Sequence, residues 1–410
     1  MATKILNPRG SQGSWVMKNL LMEKTPADYI RSLFTPFNAI AAVILLTGGI
    51  VAYLRFTRGL AAVTNLSDAN PWGLWIGFDV LCGVALAAGG YVLASAVYLF
   101  GMEDYRPVVR PAILTGFLGY FFVVIGLLFD LGRPWRLPYP IFVTVGGVAS
   151  VMFLVAWHVF LYLTCQFVEF SPAIMEWLGW KKLREWTVKL TVGATVFGVM
   201  LSTLHQSALG ALFLLAPAKL HLLWYTPLLP WFFFISSIIA GMSMVIMEGM
   251  LSHRIFNGHT DADHTSRLER ITLGLGKAAS LVLFLYFWLK VVGLVHGNHW
   301  DLLSTPLGSW FLVEMLGFIL APCFLFLWGV KSKNVALVRF TAVLTVIGII
   351  LNRLNVSVIA FNWDISERYV PRWSEIAVTI AIITLGLIAF RWIVNRMPVL
   401  KEHPEYPGGH

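Results

Sequence analysis

Residues 71–91 read PWGLWIGFDVLCGVALAAGGY, an apolar run interrupted by a single charged side chain, Asp79. A helix needs about 20 apolar residues to cross the hydrocarbon core of a bilayer. A backbone in lipid must also satisfy its own hydrogen bonds, which a helix does and an open sheet does not. Similar runs recur, so the sequence predicts an all-α integral membrane protein with about ten transmembrane helices. The predicted spans are 37–57, 73–100, 109–129, 142–166, 188–215, 229–252, 272–295, 308–330, 336–361 and 375–395.

The composition excludes an ordinary soluble domain. Of the 410 residues, 58% are hydrophobic and 12% are charged, whereas about 25% of residues are charged in soluble proteins. The three cysteines, Cys82, Cys165 and Cys323, are far apart and form no CxxC pair. We therefore expect no iron–sulfur cluster, other metal site or c-type haem in this chain. The formal charge of +9 could indicate a nucleic-acid partner, but basic loops beside a lipid bilayer explain it better.

The basic residues predict the orientation of the chain. Of its 30 Lys and Arg residues, 21 lie in the N-terminal segment, the even-numbered loops and the C-terminal tail. Because cytoplasmic loops carry an excess of Lys and Arg, both termini are expected in the cytoplasm. The odd-numbered loops then face outward, which in the inner membrane of a bacterium means the periplasm.

Ionisable side chains inside hydrocarbon are costly and mark functional sites. Asp79 lies about two helical turns below the outer end of span two, and His205 and Gln206 lie in the outer half of span five. One interpretation is a hydrogen bond that holds the helices together. The other is a pocket in which a carboxylate and an imidazole bind and protonate a small oxygenated ligand. An unperturbed histidine titrates near pH 6.5, which suits proton transfer to a quinone, and an amide offers both a donor and an acceptor.

Other polar side chains in or beside the spans have more than one interpretation. Asp130, Arg133 and Trp135 follow span three, where they could form a pocket rim, a docking contact for a partner or an ordinary interfacial belt. Glu314 and Arg353 are predicted to form a buried ion pair, since an unpaired buried charge is costly. Four polar groups in the inner half could carry protons or simply pack between helices: Tyr120, His158, Glu169 and Glu248.

Several stretches of the chain resemble, in order and spacing, the NrfD/PsrC family of membrane quinone-reactive subunits. Within that family the resemblance points to the HybB-like branch, which contains the membrane subunit of uptake hydrogenase. The stretches are PWGLWIGFD, VVRPAILTGFLGY, DLGRPW, TLHQSALGALFLLAP and LHLLWYTPLLP, and the agreement extends over about 70–395.

The resemblance implies an eight-helix core of two four-helix bundles, with one extra helix at each end. The chain would then divide into a cytoplasmic N-terminal segment, an extra helix with an outer loop, the first bundle, the second bundle, and a last helix with a cytoplasmic tail. The corresponding residues are 1–36, 37–72, 73–216, 217–361 and 362–410.

The resemblance also implies a quinone, expected to be menaquinone, bound in the first bundle near the periplasmic face. Carried onto this chain, Trp75, Asp79, His205 and Gln206 would bind it, with Asp79 and His205 as catalytic residues. A periplasmic ferredoxin-like iron–sulfur subunit would dock on that face and exchange electrons with the quinone. The assembly would also contain hydrogenase, molybdopterin-type or multihaem cytochrome subunits.

The predicted function is therefore the quinone-reactive subunit of a respiratory oxidoreductase, inactive without its partners. The upstream donor, the direction of quinone turnover and any proton translocation stay open. A secondary transporter would have inverted repeats with broken helices; span two is rich in glycine, but no matching interrupted helix is evident in the second half. A di-haem cytochrome b would need four intramembrane histidines, and only His158 and His205 qualify.

Overall fold

The computed structural model describes residues 19–139, 150–255 and 262–400, together with Trp15 and Met17. In these ranges ten helices are long and apolar enough to cross a membrane, which confirms the predicted number of spans. Apart from one isolated bridge between Leu220 and Phe361, the described residues contain no β structure. The first residues of the span predicted at 142–166 lie outside the described ranges. The helices are α1 Pro36–Arg58, α2 Trp75–Leu99, α3 Glu103–Asp130, α4 Val151–Leu178, α5 Lys181–Leu214, α6 Leu229–Ile255, α7 Thr265–Gly297, α8 Pro306–Lys331, α9 Val335–Ile359 and α10 Trp373–Val394.

The loop predicted at 167–187 is wrong in its extent, because α4 and α5 fill most of it. α4 ends where Gly179 adopts a left-handed conformation with φ of 73°, which glycine does at little cost. Near this end Glu176 pairs with Arg110 at 3.1 Å and with Arg184 at 2.9 Å. With its charge paired in this way, the polar sequence continues as helix.

α2 and α6 form the centre of the molecule. In each, 72% of the spanning segment is buried, against 17% in α1 and in α4. The two helices cross closely, since a Cβ added to Gly241 of α6 would lie 2.8 Å from backbone atoms of Ala88 and Gly89 in α2. Small residues permit such close approach of membrane helices.

Three helices contain the wider turns of a π-helix, which recur at functional sites in proteins. In α2 they lie at Trp75–Cys82 and Ser95–Leu99. α8 contains one at Val313–Leu320, and α9 ends in one at Asn355–Ile359. α8 and α9 run through these turns without a break, so the turns do not make either of them an interrupted helix. Such turns insert a residue without needing glycine or proline, so the residue pattern of these helices does not reveal them.

Helix contacts divide into three groups. α2 packs on α3 and α5, and α4 packs on both α3 and α5. In the same way α6 packs on α7 and α9, and α8 packs on both α7 and α9. The two sets touch where α6 meets α2 and α5 and where α9 meets α2, while α1 and α10 pair with each other and α10 also rests on α3.

The two ends of the molecule differ in character. At one, here called the loop end, the connections interlock: the Asn362 amide N–H donates to the Lys219 carbonyl at 2.7 Å, and the Asn70 side chain donates to the Glu367 carbonyl at 2.8 Å. At the opposite, basic end, Arg396 donates to the Tyr29 hydroxyl at 2.7 Å. The first and last described segments therefore meet at the basic end. The connections at the loop end are 59–74, 131–139, 215–228, 298–305 and 360–372.

Candidate functional site

The structure brings His205 and Gln206 of α5 together with Tyr120 of α3. His205 is fully buried, and its ring centroid lies 5.7 Å from that of Tyr120. The Gln206 amide donates to the Val84 carbonyl of α2 at 3.0 Å and lies 3.5 Å from the Tyr120 hydroxyl. Tyr120 in turn meets Tyr162 of α4 edge to face, with centroids 4.6 Å apart. All four helices from α2 to α5 thus contribute to this group, here called the His205 cluster.

Three polar atoms of the His205 cluster are buried and have no hydrogen-bond partner among the described residues. They are Nδ1 and Nε2 of His205 and Oε1 of Gln206. Buried polar atoms in proteins are nearly always paired, so unpaired atoms on adjacent residues indicate a place for a ligand with oxygen atoms. The imidazole can donate at one nitrogen and accept at the other, and the amide oxygen accepts. These residues therefore fit a quinone headgroup, which offers carbonyl oxygens when oxidised and hydroxyls when reduced.

Asp79 is buried in a different set of contacts. The hydroxyl of Thr379, on α10, donates to Asp79 Oδ2 at 2.9 Å. A Cβ on Gly126 of α3 would lie 3.0 Å from Asp79 Cβ, so α3 passes close on another side. No hydrogen bond joins Asp79 to His205, whose nitrogens are both unpaired. A pocket shared by the two residues thus stays a prediction, and Thr379 is a contact that the sequence reasoning missed.

Trp75 lies one turn before Asp79 on α2 and, like Asp79, contacts α10. It is 1% exposed, and its indole N–H donates to the Glu375 carbonyl of α10 at 3.1 Å. Its ring also lies 5.9 Å from that of Phe129, near the end of α3. Trp75 is therefore fixed by neighbours on both sides.

The residues predicted to carry protons are dispersed. Tyr120 belongs to the His205 cluster itself. Glu169 of α4 is buried and accepts a hydrogen bond of 2.7 Å from Thr195 of α5. Between them, Gln166 donates to the Tyr162 hydroxyl at 3.1 Å. Tyr162, Gln166 and Glu169 follow the i, i+4, i+7 spacing of one helix face, a pattern that could have drawn attention to the two that the sequence reasoning overlooked.

His158 and Glu248 have fewer contacts. His158 is half-buried on α4 and its Nδ1 has no partner among the described residues. Glu248 lies on α6, and its Oε1 is likewise buried and unpartnered there. Neither residue is joined by a hydrogen bond to Tyr120 or Glu169.

The predicted ion pair between Glu314 and Arg353 is wrong, because Glu314 pairs with Lys290 of α7. Both carboxylate oxygens of Glu314 are fully occupied. Oε1 accepts from Lys290 and from the Asn352 amide at 2.7 Å, and Oε2 accepts from the Trp224 indole at 2.8 Å and from the Asn355 amide. A narrow cavity of about 20 Å³ beside Lys290 has room for roughly one water molecule.

Arg353 is fully buried next to this group but bonds mainly to neutral partners on α6. Its guanidinium donates to the Phe233 carbonyl at 3.0 Å and to the Ser236 hydroxyl at 2.9 Å, and it lies 3.7 Å above the Phe233 ring. The Asn352 side chain bridges it to Glu314. Lys290, Glu314 and Arg353 lie at similar depth in their helices, so the sequence could not decide which cation would reach the carboxylate.

The residues predicted to form a rim lie at the loop end. Arg133 and Trp135 are exposed, with 69% of Trp135 accessible. Asp130 is partly buried, and its Oδ1 has no hydrogen-bond partner in the described part of the chain. The guanidinium of Arg55, on α1, donates to the carbonyls of Phe129 and Leu131 at 2.6 Å each. Within the described part of the chain, no group of three His, Cys, Asp or Glu side chains could hold a metal ion.

Three proteins that are similar to this chain come from two organisms. A Nitratidesulfovibrio vulgaris (strain Hildenborough) protein without a functional name is 54% identical over 94% of this chain and 99% of its own length. The "Probable Ni/Fe-hydrogenase 2 b-type cytochrome subunit" of Escherichia coli K12 is 32% identical over 84% of this chain and 88% of that protein. The "Menaquinone reductase, integral membrane subunit" of N. vulgaris is 24% identical over 91% of this chain and 94% of that protein. Residues 62–361 match the family described as "Polysulphide reductase, NrfD", and the chain belongs to this family of membrane subunits.

Proposed function

We propose that this chain is the membrane-anchoring, quinone-reactive subunit of a multi-subunit respiratory oxidoreductase. It exchanges electrons between an iron–sulfur partner at the loop end and menaquinone in the bilayer. The quinone headgroup binds in the His205 cluster, where His205 and Gln206 bond to its oxygen atoms. Trp75 and Asp79 line the approach from α2, with Asp79 orienting the headgroup or supplying its proton.

The unpaired atoms of His205 and Gln206 carry this proposal. A buried donor or acceptor without a partner costs about 1–3 kcal/mol, and three such atoms on adjacent residues are hard to explain by packing alone. A quinone oxygen accepts a hydrogen bond from the imidazole, and a quinol hydroxyl donates to it or to the amide oxygen. The rings of Tyr120 and Tyr162 add aromatic surface against which a flat headgroup can lie.

Orientation and partners are part of the same proposal. The distribution of Lys and Arg favours a periplasmic loop end. The helix contacts of α2–α5 and of α6–α9 support two four-helix bundles, with the quinone in the first. The relatives whose names specify hydrogenase and menaquinone reductase subunits support docking of an electron-carrying partner. We assign the exposed residues Arg133 and Trp135, with Asp130, to the rim where that partner docks.

Protons would reach the site through polar side chains between the His205 cluster and the basic end. Tyr120, Tyr162, Gln166 and Glu169 form the best-connected series in this region. His158 and Glu248 remain candidates for the same route on α4 and α6.

A haem-containing cytochrome is the second candidate, because the name of the E. coli relative includes the words b-type cytochrome. His158 and His205, on neighbouring helices, would be the available axial ligands. An absorption spectrum of the chain purified from native membranes distinguishes the two functions. A stoichiometric Soret band that disappears in His205→Ala would replace the quinone proposal with haem binding.

The test of the quinone proposal uses the assembled complex with the variants His205→Ala and Asp79→Asn. A positioned proton donor contributes 10²–10⁴-fold to rate, so quinone turnover should fall by at least about 10²-fold. Reduction of the partner's iron–sulfur centres by the upstream donor should continue. Leu204→Ala is the control, since Leu204 neighbours His205 but is 45% exposed. Wild-type turnover in both variants, with the complex intact, would contradict the assigned roles.

A further inference from the structure

Two contacts, one helical turn apart, join the start of α10 to the start of α2. On α2, Trp75 and Asp79 are separated by four residues, and on α10 their partners Glu375 and Thr379 have the same separation. The Trp75 indole donates to the Glu375 carbonyl at 3.1 Å, and the Thr379 hydroxyl donates to Asp79 Oδ2 at 2.9 Å. All four residues are buried, none with more than 6% of its surface exposed.

This end of α10 is held firmly against the loop that leads into α2. The Glu375 carboxylate accepts hydrogen bonds from the Asn65 backbone N–H at 2.9 Å and from the Tyr369 hydroxyl. Tyr369 in turn accepts from the Leu74 backbone N–H at 2.8 Å. Burial and the bond to Glu375 raise the pKa of Tyr369 above its ordinary value, so the phenol keeps the proton that it donates. These hydrogen bonds fix the start of α10, and therefore also the position of Thr379 one turn further along the helix.

Thr379 supplies the only hydrogen bond to Asp79 among the described residues. No cation pairs with Asp79 there, since the ion pairs of the described residues involve other carboxylates. A carboxylate with one oxygen held by a hydrogen bond keeps one orientation. Without that bond it can rotate, and its burial in apolar surroundings becomes more costly. The hydroxyl of Thr379 can therefore hold the Asp79 carboxylate in one orientation.

We propose that α10 is a working part of the Asp79 site and that Thr379 is its positioning residue. α10 lies beyond residues 62–361, the part of the chain that matches the family, so this role does not follow from that match. The inference rests on the proposed function, in which Asp79 serves the quinone.

The experiment compares Thr379→Val, which keeps the shape but loses the hydroxyl, with Thr379→Ser, which keeps the hydroxyl. Both are measured in the assembled complex with a soluble menaquinone analogue. Misplacing a reacting group by about 1 Å can cost on the order of 10²-fold in rate. We expect Thr379→Val to lower kcat by up to about 10²-fold with little change in KM. Thr379→Ser should keep most of the wild-type kcat. Reduction of the iron–sulfur centres should be unaffected in both.

Thr384→Val is the matched control, because Thr384 is also a buried threonine of α10 and makes no contact with Asp79. Wild-type kcat in Thr379→Val while Asp79→Asn is inactive would overturn the inference and leave the proposed function standing. Equal loss of activity or assembly in Thr379→Val and Thr379→Ser would reduce Thr379 to a packing role and also overturn it. Full activity of Asp79→Asn would instead contradict the role that the proposed function gives to Asp79, and the inference with it.

Discussion

Glu314 and His205 are both buried in the membrane core, and their hydrogen-bond partners set them apart. Glu314 has two donors on each oxygen, from α7, α9 and the loop that carries Trp224. His205 has no hydrogen-bond partner on either nitrogen among the residues that the structure describes. A saturated charge holds neighbouring elements in place, while an unsatisfied imidazole is free to bond to a ligand. Glu314 therefore holds helices together, whereas the nitrogens of His205 are the atoms that the proposed function assigns to a ligand.

The pairing of Lys290 with Glu314 leads to a stability prediction. Breaking a buried pair by removing one partner costs about 3–5 kcal/mol, so Lys290→Met and Glu314→Gln should each lower the thermal midpoint in detergent markedly. The double variant should lose less than the sum, since contacting residues couple. The corresponding cycle between Arg353 and Glu314 should show weaker coupling, because Asn352 lies between them.

Glu185→Gln is the control, because it removes an exposed carboxylate from α5. Strict additivity for Lys290 and Glu314, with measurable loss in each single variant, would mean that the two side chains do not interact. A stronger coupling of Glu314 to Arg353 than to Lys290 would restore the pair expected from the sequence.

Sequence reasoning named the polar residues of the proposed site but did not predict which of them lie together. Asp79, His205 and Gln206 stand out because ionisable and amide groups are rare in apolar runs. Their neighbours Tyr162 and Thr379 do not, since tyrosine and threonine are unremarkable in membrane helices. Which face of each helix meets which neighbour depends on packing across the whole assembly, and this decided the partners.

Among the helices, the close crossing of α2 and α6 depends on the absence of a side chain at Gly241. An added Cβ on Gly241 would come 2.8 Å from the backbone of Ala88 and Gly89. One of the two helices would have to move to make room for it. Gly241→Ala should therefore lower the thermal midpoint and the yield of folded protein, by about 1–3 kcal/mol in stability. Gly249→Ala, on the same helix with open space around it, should behave as wild type. Equal stability of the two variants would show that the crossing is looser than described.

Helix boundaries show where sequence patterns stop being informative. The apolar runs predict ten spans because each run is long enough for a helix to cross the hydrocarbon core. They cannot predict that α4 continues to Leu178, since this requires Arg110 of α3 to reach Glu176. Nor can they predict the π turns, which depend on local hydrogen bonding rather than composition.

At the scale of the whole molecule, the terminal helices α1 and α10 pack together although they are far apart in sequence. Because the described crossings are even in number, α1 and α10 run antiparallel. The family resemblance implied one extra helix at each end, but not that these two helices would meet or that α10 would contact Asp79. That contact needs the folded chain, because it joins residues 300 positions apart.

The orientation of the molecule is testable with reporter fusions. Fusions after Glu103, Lys181 and Lys333 should report the cytoplasm, because basic residues flank these ends of the helices. Fusions after Asp68, Trp135 and Asn298 should report the periplasm. Two or more reversals would contradict the proposed orientation and the docking of the partner at the loop end.

The location of the quinone tests the central claim most directly. We would label the assembled complex with a photoreactive menaquinone analogue and identify the modified peptides by mass spectrometry. We expect labelling of α5 around His205 and of the facing part of α3 around Tyr120. Excess menaquinone should suppress this labelling, and His205→Ala should weaken it. Specific labelling confined to α7 and the loop at 222–226, beside Lys290, would contradict the account.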